Sequence, residues 1–313
     1  MIPLIKKPWR KGVSPPRISH EPSARRVQAV LLALLVTFLW STSWILIKFG
    51  LKDIPALTFA GLRYGLAFLV LLPFALRGEE LQKLRALPPG MWARLALLGL
   101  LYYAVTQGAQ FLGLAYLPAM TNSLLLSFSA VLVALLGVAL LGERPTKLQW
   151  VGMALYLAGV LLYFYPLSIP AAQTVGYLIV IAGVLANAFS SILGRAVNRS
   201  ASLRPVTITL VSMGIGSLLL LVSGLAVQGL PRLSLQSWGI ILWLAVINSA
   251  LAFTLWNHTL RTLSAMESSI INNTMLFQIA ILAWIFLGER LGARGIAGML
   301  LAGVGTLLVQ LRR

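Results

Sequence analysis

Polar side chains able to recognise a small molecule stand inside long apolar stretches of this 313-residue chain. Tyr103, Thr106, Gln107 and Gln110 fall at i, i+3, i+4 and i+7, so a helix puts them on one face. Two glutamines without partners in hydrocarbon would each cost several kcal/mol. They face either a substrate or neighbours whose hydrogen bonds only glue helices together. Trp40-Ser41, Ser127 with Ser129, Asn187, Asn248-Ser249 and Asn272-Asn273 lie at or near the middle of other such stretches. Ser249, Phe253 and Trp256 share a helical face with Asn257 beside them, and Ser268, Ser269, Asn272, Asn273 and Thr274 form a polar patch on the next stretch. Rings and neutral amides of this kind suit a small zwitterion or an amphipathic metabolite. A nucleotide sugar would ask for several deep cations, and only Arg63 is deep.

Covalent and metal chemistry find little to work with. The chain has no Cys, two His, no His-Glu-x-x-His and no pair of deep Asp residues. Neither a metal nor another cofactor is expected, and an intramembrane enzyme is the weaker reading. A channel filter would show repeated charged or carbonyl rings, which the sequence lacks. Arg63 lies roughly 12 Å into its stretch at 1.5 Å per residue. It either binds a substrate carboxylate or pairs with helix C-terminal carbonyls. His258 and Glu267 are equidistant from a tight turn, so antiparallel helices would set them at equal depth as a candidate inner gate. The alternative is a histidine in interfacial water and a glutamate favoured by a helix N-terminus. Glu143 and Glu289, beside Arg144 and Arg290, read as interfacial caps and charge pairs.

Composition dictates the elements that carry these groups. Hydrophobic residues make up 59% of the chain and charged residues 10%, against roughly 45–50% and 25% in soluble domains. A helix crosses the hydrocarbon core with about 20 apolar residues. Ten such runs are present: 27–51, 55–76, 91–115, 118–140, 147–166, 174–197, 205–229, 237–261, 265–287 and 293–311. A β-barrel is excluded, because its strands would alternate polar and apolar residues. The expected fold is therefore an all-α polytopic membrane protein with ten transmembrane helices. A net charge of +18 would point to nucleic acid in a soluble protein. Here the basic residues crowd the gaps between runs, so a lipid bilayer and a small-molecule substrate are the expected partners and nucleic acid is not. With the N-terminus inside, 19 of the 25 Lys and Arg fall on the cytoplasmic side, five fall opposite, and Arg63 lies within a span. That split supports ten spans with both termini cytoplasmic. Residues 1–26, with seven basic residues and five prolines, read as a disordered tail resting on anionic lipid. A secretory signal peptide does not fit, and the prolines disfavour an organellar presequence.

The chain also repeats itself at an offset of 146 residues. Leu141-Gly142-Glu143-Arg144 recurs as Leu287-Gly288-Glu289-Arg290, Gly152-Met153 as Gly298-Met299, and Gly159 as Gly305. Leu117, Ala119, Met120 and Ser123 recur as Leu263, Ala265, Met266 and Ser269. Each half, 27–166 and 174–311, then holds five spans, and an odd number turns the second half upside down relative to the first. The glycines at 152, 159, 295, 298 and 305 read as close-packing positions. With Gly-Glu-Arg after the fourth and ninth spans, Trp40-Ser41-Thr42-Ser43 followed by Lys48, and Arg63 in the second span, the sequence resembles the EamA-type family of the drug/metabolite transporter superfamily over about residues 27–311. The resemblance implies a secondary carrier of the bacterial inner membrane, often an exporter of amino acids or related metabolites. It would work without ATP, by alternating access through a cavity between two inverted five-helix repeats. It also implies a structural place for Arg63, which that family carries whatever its substrates.

Overall fold

The computed structural model describes residues 23–141, 146–165, 170–200, 202–259, 262–263 and 271–310, and among these every regular element is helical. In chain order they are α1 (Ser23–Gly50), α2 (Ala56–Ala75), α3 (Glu80–Arg85), α4 (Pro89–Leu98), a π-helical segment Gly99–Gln107, α5 (Gly108–Tyr116), α6 (Ala119–Ser127), α7 (Ser129–Leu141) and α8 (Lys147–Phe164). After a short 3-10 turn come α9 (Thr174–Ser200), α10 (Pro205–Gln228), α11 (Leu235–Ala245), a second π-helical segment Val246–Leu251, α12 (Ala252–Thr259), α13 (Met275–Leu287) and α14 (Ala293–Gln310). Seven described helices are long and apolar enough to cross a membrane, and Ala119–Val133, Ile271–Leu287 and Ala293–Val309 are shorter apolar ones. Helix α1 begins inside the segment read from sequence as tail, and the charged helix α3 was not foreseen. The Gly142-Glu143-Arg144 motif and residues 264–270 lie outside the described residues.

Local sequence sets the helix ends. Pro55, Pro88 and Pro118 sit in extended backbone just before α2, α4 and α6, where a missing N–H costs nothing. Thr146 and Gln149 make a reciprocal capping box at the start of α8. Gly288 closes α13 in the left-handed region, φ 66°, a conformation that any Cβ would strain.

The sequence repeat is matched by helix boundaries. Helices α7 and α13 both have 13 residues, and α8 and α14 both have 18. Each pair is displaced by 146 residues, as are the single-residue breaks at Phe128 and Thr274. The two π segments also occupy corresponding stretches of the chain.

Helices α8 and α14 meet along a glycine seam. A Cβ added at Gly159 would come within 2.6 Å of the Gly298 carbonyl, and one at Gly298 within 2.7 Å of the Gly159 carbonyl. Gly152 and Gly305 oppose each other in the same way, at 2.8 and 2.6 Å. Small residues let the backbones touch where apolar burial drives nothing, because lipid is as apolar as the helices. Gly295 is outside this seam, facing only Leu291 of its own turn.

At one end of the bundle α3 is tied to the start of α10. The buried Glu80 carboxylate accepts hydrogen bonds from the Arg204 backbone N–H (3.1 Å), the Thr207 hydroxyl (2.8 Å) and Lys83 Nζ (3.3 Å). Burial pushes the Glu80 pKa up, but these donors outweigh it and hold the carboxyl below the ordinary glutamate range.

Candidate functional site: a central cavity

A cavity of about 300 Å³ lies among α1, α2, the first π segment, α5, α6, α7, α9, α12, α13 and α14. Of the residues singled out from sequence, Trp40, Arg63, Thr106, Gln107, Gln110, Ser127, Asn187, Asn272 and Asn273 line it. Their positions follow the repeat. Leu126, Ser127, Ser129 and Ala130 form part of the wall, and so do Asn272, Asn273, Met275 and Leu276, each displaced by 146 residues. Gln107 and Phe253 are a further such pair.

Arg63 is the one cation among the lining residues, and no carboxylate lines the cavity with it. Its Nε–H donates to Ser249 Oγ at 3.1 Å, and its guanidinium lies 5.0 Å from the Tyr64 ring centroid and 5.9 Å from that of Phe111. Arg63 Nη1 is buried without a hydrogen-bond partner. The Tyr64 hydroxyl donates to Gln107 Oε1 at 2.6 Å, which fixes that amide. Asn187 Nδ2 donates to Ser129 Oγ at 3.0 Å, and Asn273 Nδ2 to the Gly303 carbonyl at 3.1 Å. Ser127 Oγ donates to the Leu124 carbonyl at 2.6 Å and meets the Tyr156 hydroxyl at 3.1 Å. Trp40 packs at a tilt against both Phe253 and Trp256, with centroids 5.4 and 5.3 Å away.

Trp256, Ser41, Asn248, Ser249, Tyr103 and Thr274 do not line the cavity. Trp256 stands behind Trp40. Ser41 donates to the Thr37 carbonyl and to Gln278 Oε1, at 2.8 and 2.9 Å. Asn248 donates to the Leu39 carbonyl and to Thr42 Oγ1, joining the second π segment to α1. Tyr103 is buried against Tyr64 and Tyr102, with centroids 5.6 and 4.9 Å away. His258 is exposed in the last turn of α12, while Glu267, the other half of the proposed inner gate, lies outside the described residues. Asn257 falls on α12, but its side chain lies outside the described part. Sequence reasoning passed over Trp44, Tyr64, Tyr102, Ser43, Ser123 and Thr306, all of which line the cavity. Tyr64 had a readable signal, a phenol next to the one deep arginine. No group of three or more His, Asp or Glu that could hold a metal exists among the described residues.

Comparison with known proteins agrees with this architecture. The model of the EamA-like transporter family matches residues 27–165 and, a second time, residues 174–311. An uncharacterized transporter of Bacillus subtilis, YvbV, is 31% identical over 290 residues, covering 90% of this chain and 91% of that one. A probable amino-acid metabolite efflux pump of Salmonella typhimurium is 28% identical over 289 residues, covering 88% and 92%. A crystal structure 18% identical to this chain shares its fold with a TM-score of 0.66, covering 91% of this chain and 97% of the other.

Proposed function

Because the chain belongs to the EamA-like transporter family, we propose that it is a secondary exporter of amino acids or related small metabolites. In this reading ten spans form two inverted repeats, with both termini in the cytoplasm of a bacterial cell. Substrate is bound in the central cavity and released by alternating access. The observation that carries the reading is the chemistry of that cavity. Neutral amides and hydroxyls come from both halves, aromatic rings form part of the wall, and one buried cation lacks an acidic partner among the lining residues. A buried charge left without a counter-charge costs several kcal/mol. A substrate carboxylate at Arg63 would supply it, with Gln107, Gln110, Asn187, Asn272 and Asn273 placed to bond the polar remainder. A volume of about 300 Å³ lies at the small end of ligand sites, which run from roughly 300 to 1,000 Å³. That size suits an amino acid better than a nucleotide sugar, whose phosphates would also outnumber the single arginine.

The test is counterflow in proteoliposomes. Vesicles loaded with one unlabelled candidate are assayed for uptake of the same labelled compound across a panel of amino acids, their decarboxylated amines and nucleotide sugars. Uptake confined to the carboxylate-bearing members is expected. Counterflow of nucleotide sugars, or of the amines as readily as the acids, would overturn the reading.

A further inference from the structure

Lys48 and Glu289 hold the two sides of the turn between α5 and α6, which lies far from both in sequence. Lys48 Nζ donates to the Leu114 carbonyl at 2.5 Å and to the Leu117 carbonyl at 2.7 Å, at the C-terminal end of α5. The Glu289 carboxylate accepts the Ala119 N–H at 2.6 Å and the Met120 N–H at 3.0 Å, the first amides of α6. A cation thus caps a helix C-terminus and an anion caps the next N-terminus, each at the end of the peptide dipole that favours it. Asn122 Nδ2 donates to the Gln110 carbonyl at 3.1 Å, which makes the α5–α6 turn a unit in its own right. Both clasping residues come from helix ends that pack on this turn, since α1 touches α5 and α6 and α13 touches α6.

The place of the clasp gives it a consequence. Lys48 follows the cavity-lining Trp44 by one helical turn, and Ala119 precedes the cavity-lining Ser123 by one turn. That puts the clasp about 6 Å beyond the cavity wall on both helices, at 1.5 Å per residue. On its far side is a second space of about 630 Å³, lined by Lys48, Phe49, Leu117, Pro118, Leu287 and Glu289 among others. The two spaces share no lining residue.

We propose that Lys48 and Glu289 are positioning residues that hold the α5–α6 turn as a partition between the central cavity and this vestibule, and that a path between them opens when the turn leaves both charges. The inference goes beyond the transport reading but takes from it that the cavity must at some stage communicate with this side. Opening would cost four charge-assisted hydrogen bonds at once, and no pH change is needed to work it.

The chain has no Cys, so a single introduced cysteine can report on the partition without any substrate. Ser123→Cys places the probe in the cavity. Leu230→Cys is the reference. Leu230 is 65% exposed, next to Gly229, whose carbonyl accepts from Thr58 near the start of α2, at the same end as Lys48. Reconstituted protein is treated with a membrane-impermeant maleimide on the side that labels the reference site. Glu289→Ala and Lys48→Met should each raise the rate at Ser123→Cys by about tenfold, the factor expected from loss of charge-assisted caps worth at least 1.4 kcal/mol. Labelling at Leu230→Cys should stay unchanged. Glu289→Gln keeps one acceptor oxygen, should give a smaller rise, and serves if the alanine variant does not insert. Parental rates at Ser123→Cys in both the Lys48 and Glu289 variants would overturn the proposal. Because no transport is measured, failure here is distinct from failure to find a substrate.

Discussion

Replacing Gly305 by Ala tests whether the α8–α14 seam holds the fold together. The added methyl would sit 2.6 Å from the Gly152 carbonyl oxygen and 2.7 Å from the Tyr156 Cα. Comfortable heavy-atom contacts are about 3.5–4.0 Å, so the two helices must part by about 1 Å. Neither obstacle is a side chain that can swing away. The expected loss is about 1–3 kcal/mol, the range for overpacking a tight interior. Gly239→Ala is the control, because a Cβ there meets nothing within 4 Å on the exposed face of α11. There the better helix former should add about 0.5–1 kcal/mol. The same chemical change is thus expected to act in opposite directions. Unfolding of purified protein in detergent, followed by tryptophan fluorescence, would show the Gly305 variant melting below the parent and the Gly239 variant at or above it. A Gly305→Ala protein as stable as the parent would refute the close-contact argument.

Gln107→Leu removes the amide held by Tyr64 and should lower transport at least tenfold while membrane abundance is kept; unchanged kinetics would make Gln107 helix glue. Arg63→Gln should raise KM for carboxylate-bearing substrates far more than for their amine counterparts, whereas an equal loss for both, or loss of folded protein, would assign Arg63 to packing. Glu80, whose pKa is lowered on folding, contributes stability that is fully present above the ordinary glutamate value near 4.3. That contribution is lost as pH falls through the lowered value. Thermal melts between pH 7 and 3 should therefore show a steeper acid loss in the parent than in Glu80→Gln, which should be about 1.5–3 kcal/mol less stable at neutral pH; parallel curves would exclude Glu80 as a contributor.

The apolar runs, the repeat and about half of the cavity wall were legible because hydrophobicity and spacing are local properties. Tyr103 and Asn248 show where that logic stops. Both lie in π-helical segments, where hydrogen bonds run i to i+5 and each turn holds more residues than the 3.6 of an α-helix. The wider turn carries Thr106 further round the helix from Tyr103, which packs around Tyr64 while Thr106 reaches the cavity. Asn248 likewise meets α1. Glu289 was legible as a cap, but not the helix it serves, since Ala119 is 170 residues away in sequence. Thr306 was hidden differently, as a lone hydroxyl on a helix whose glycines read as scaffold.

The cavity wall follows the 146-residue repeat in part of its positions and not in its chemistry. Gln107 is answered by Phe253, Ser127 by Asn273, Ser129 by Met275 and Leu126 by Asn272, while Arg63 has no second cation among the lining residues to answer it. A pocket with true two-fold symmetry would accept a ligand equally well in either of two orientations and could not tell its head from its tail. In the proposed reading, exchanging the ends would set a carboxylate away from the one arginine, so the unequal wall would select one pose. The unequal side chains would then hold a cargo with distinct ends in one orientation while it occupies the cavity.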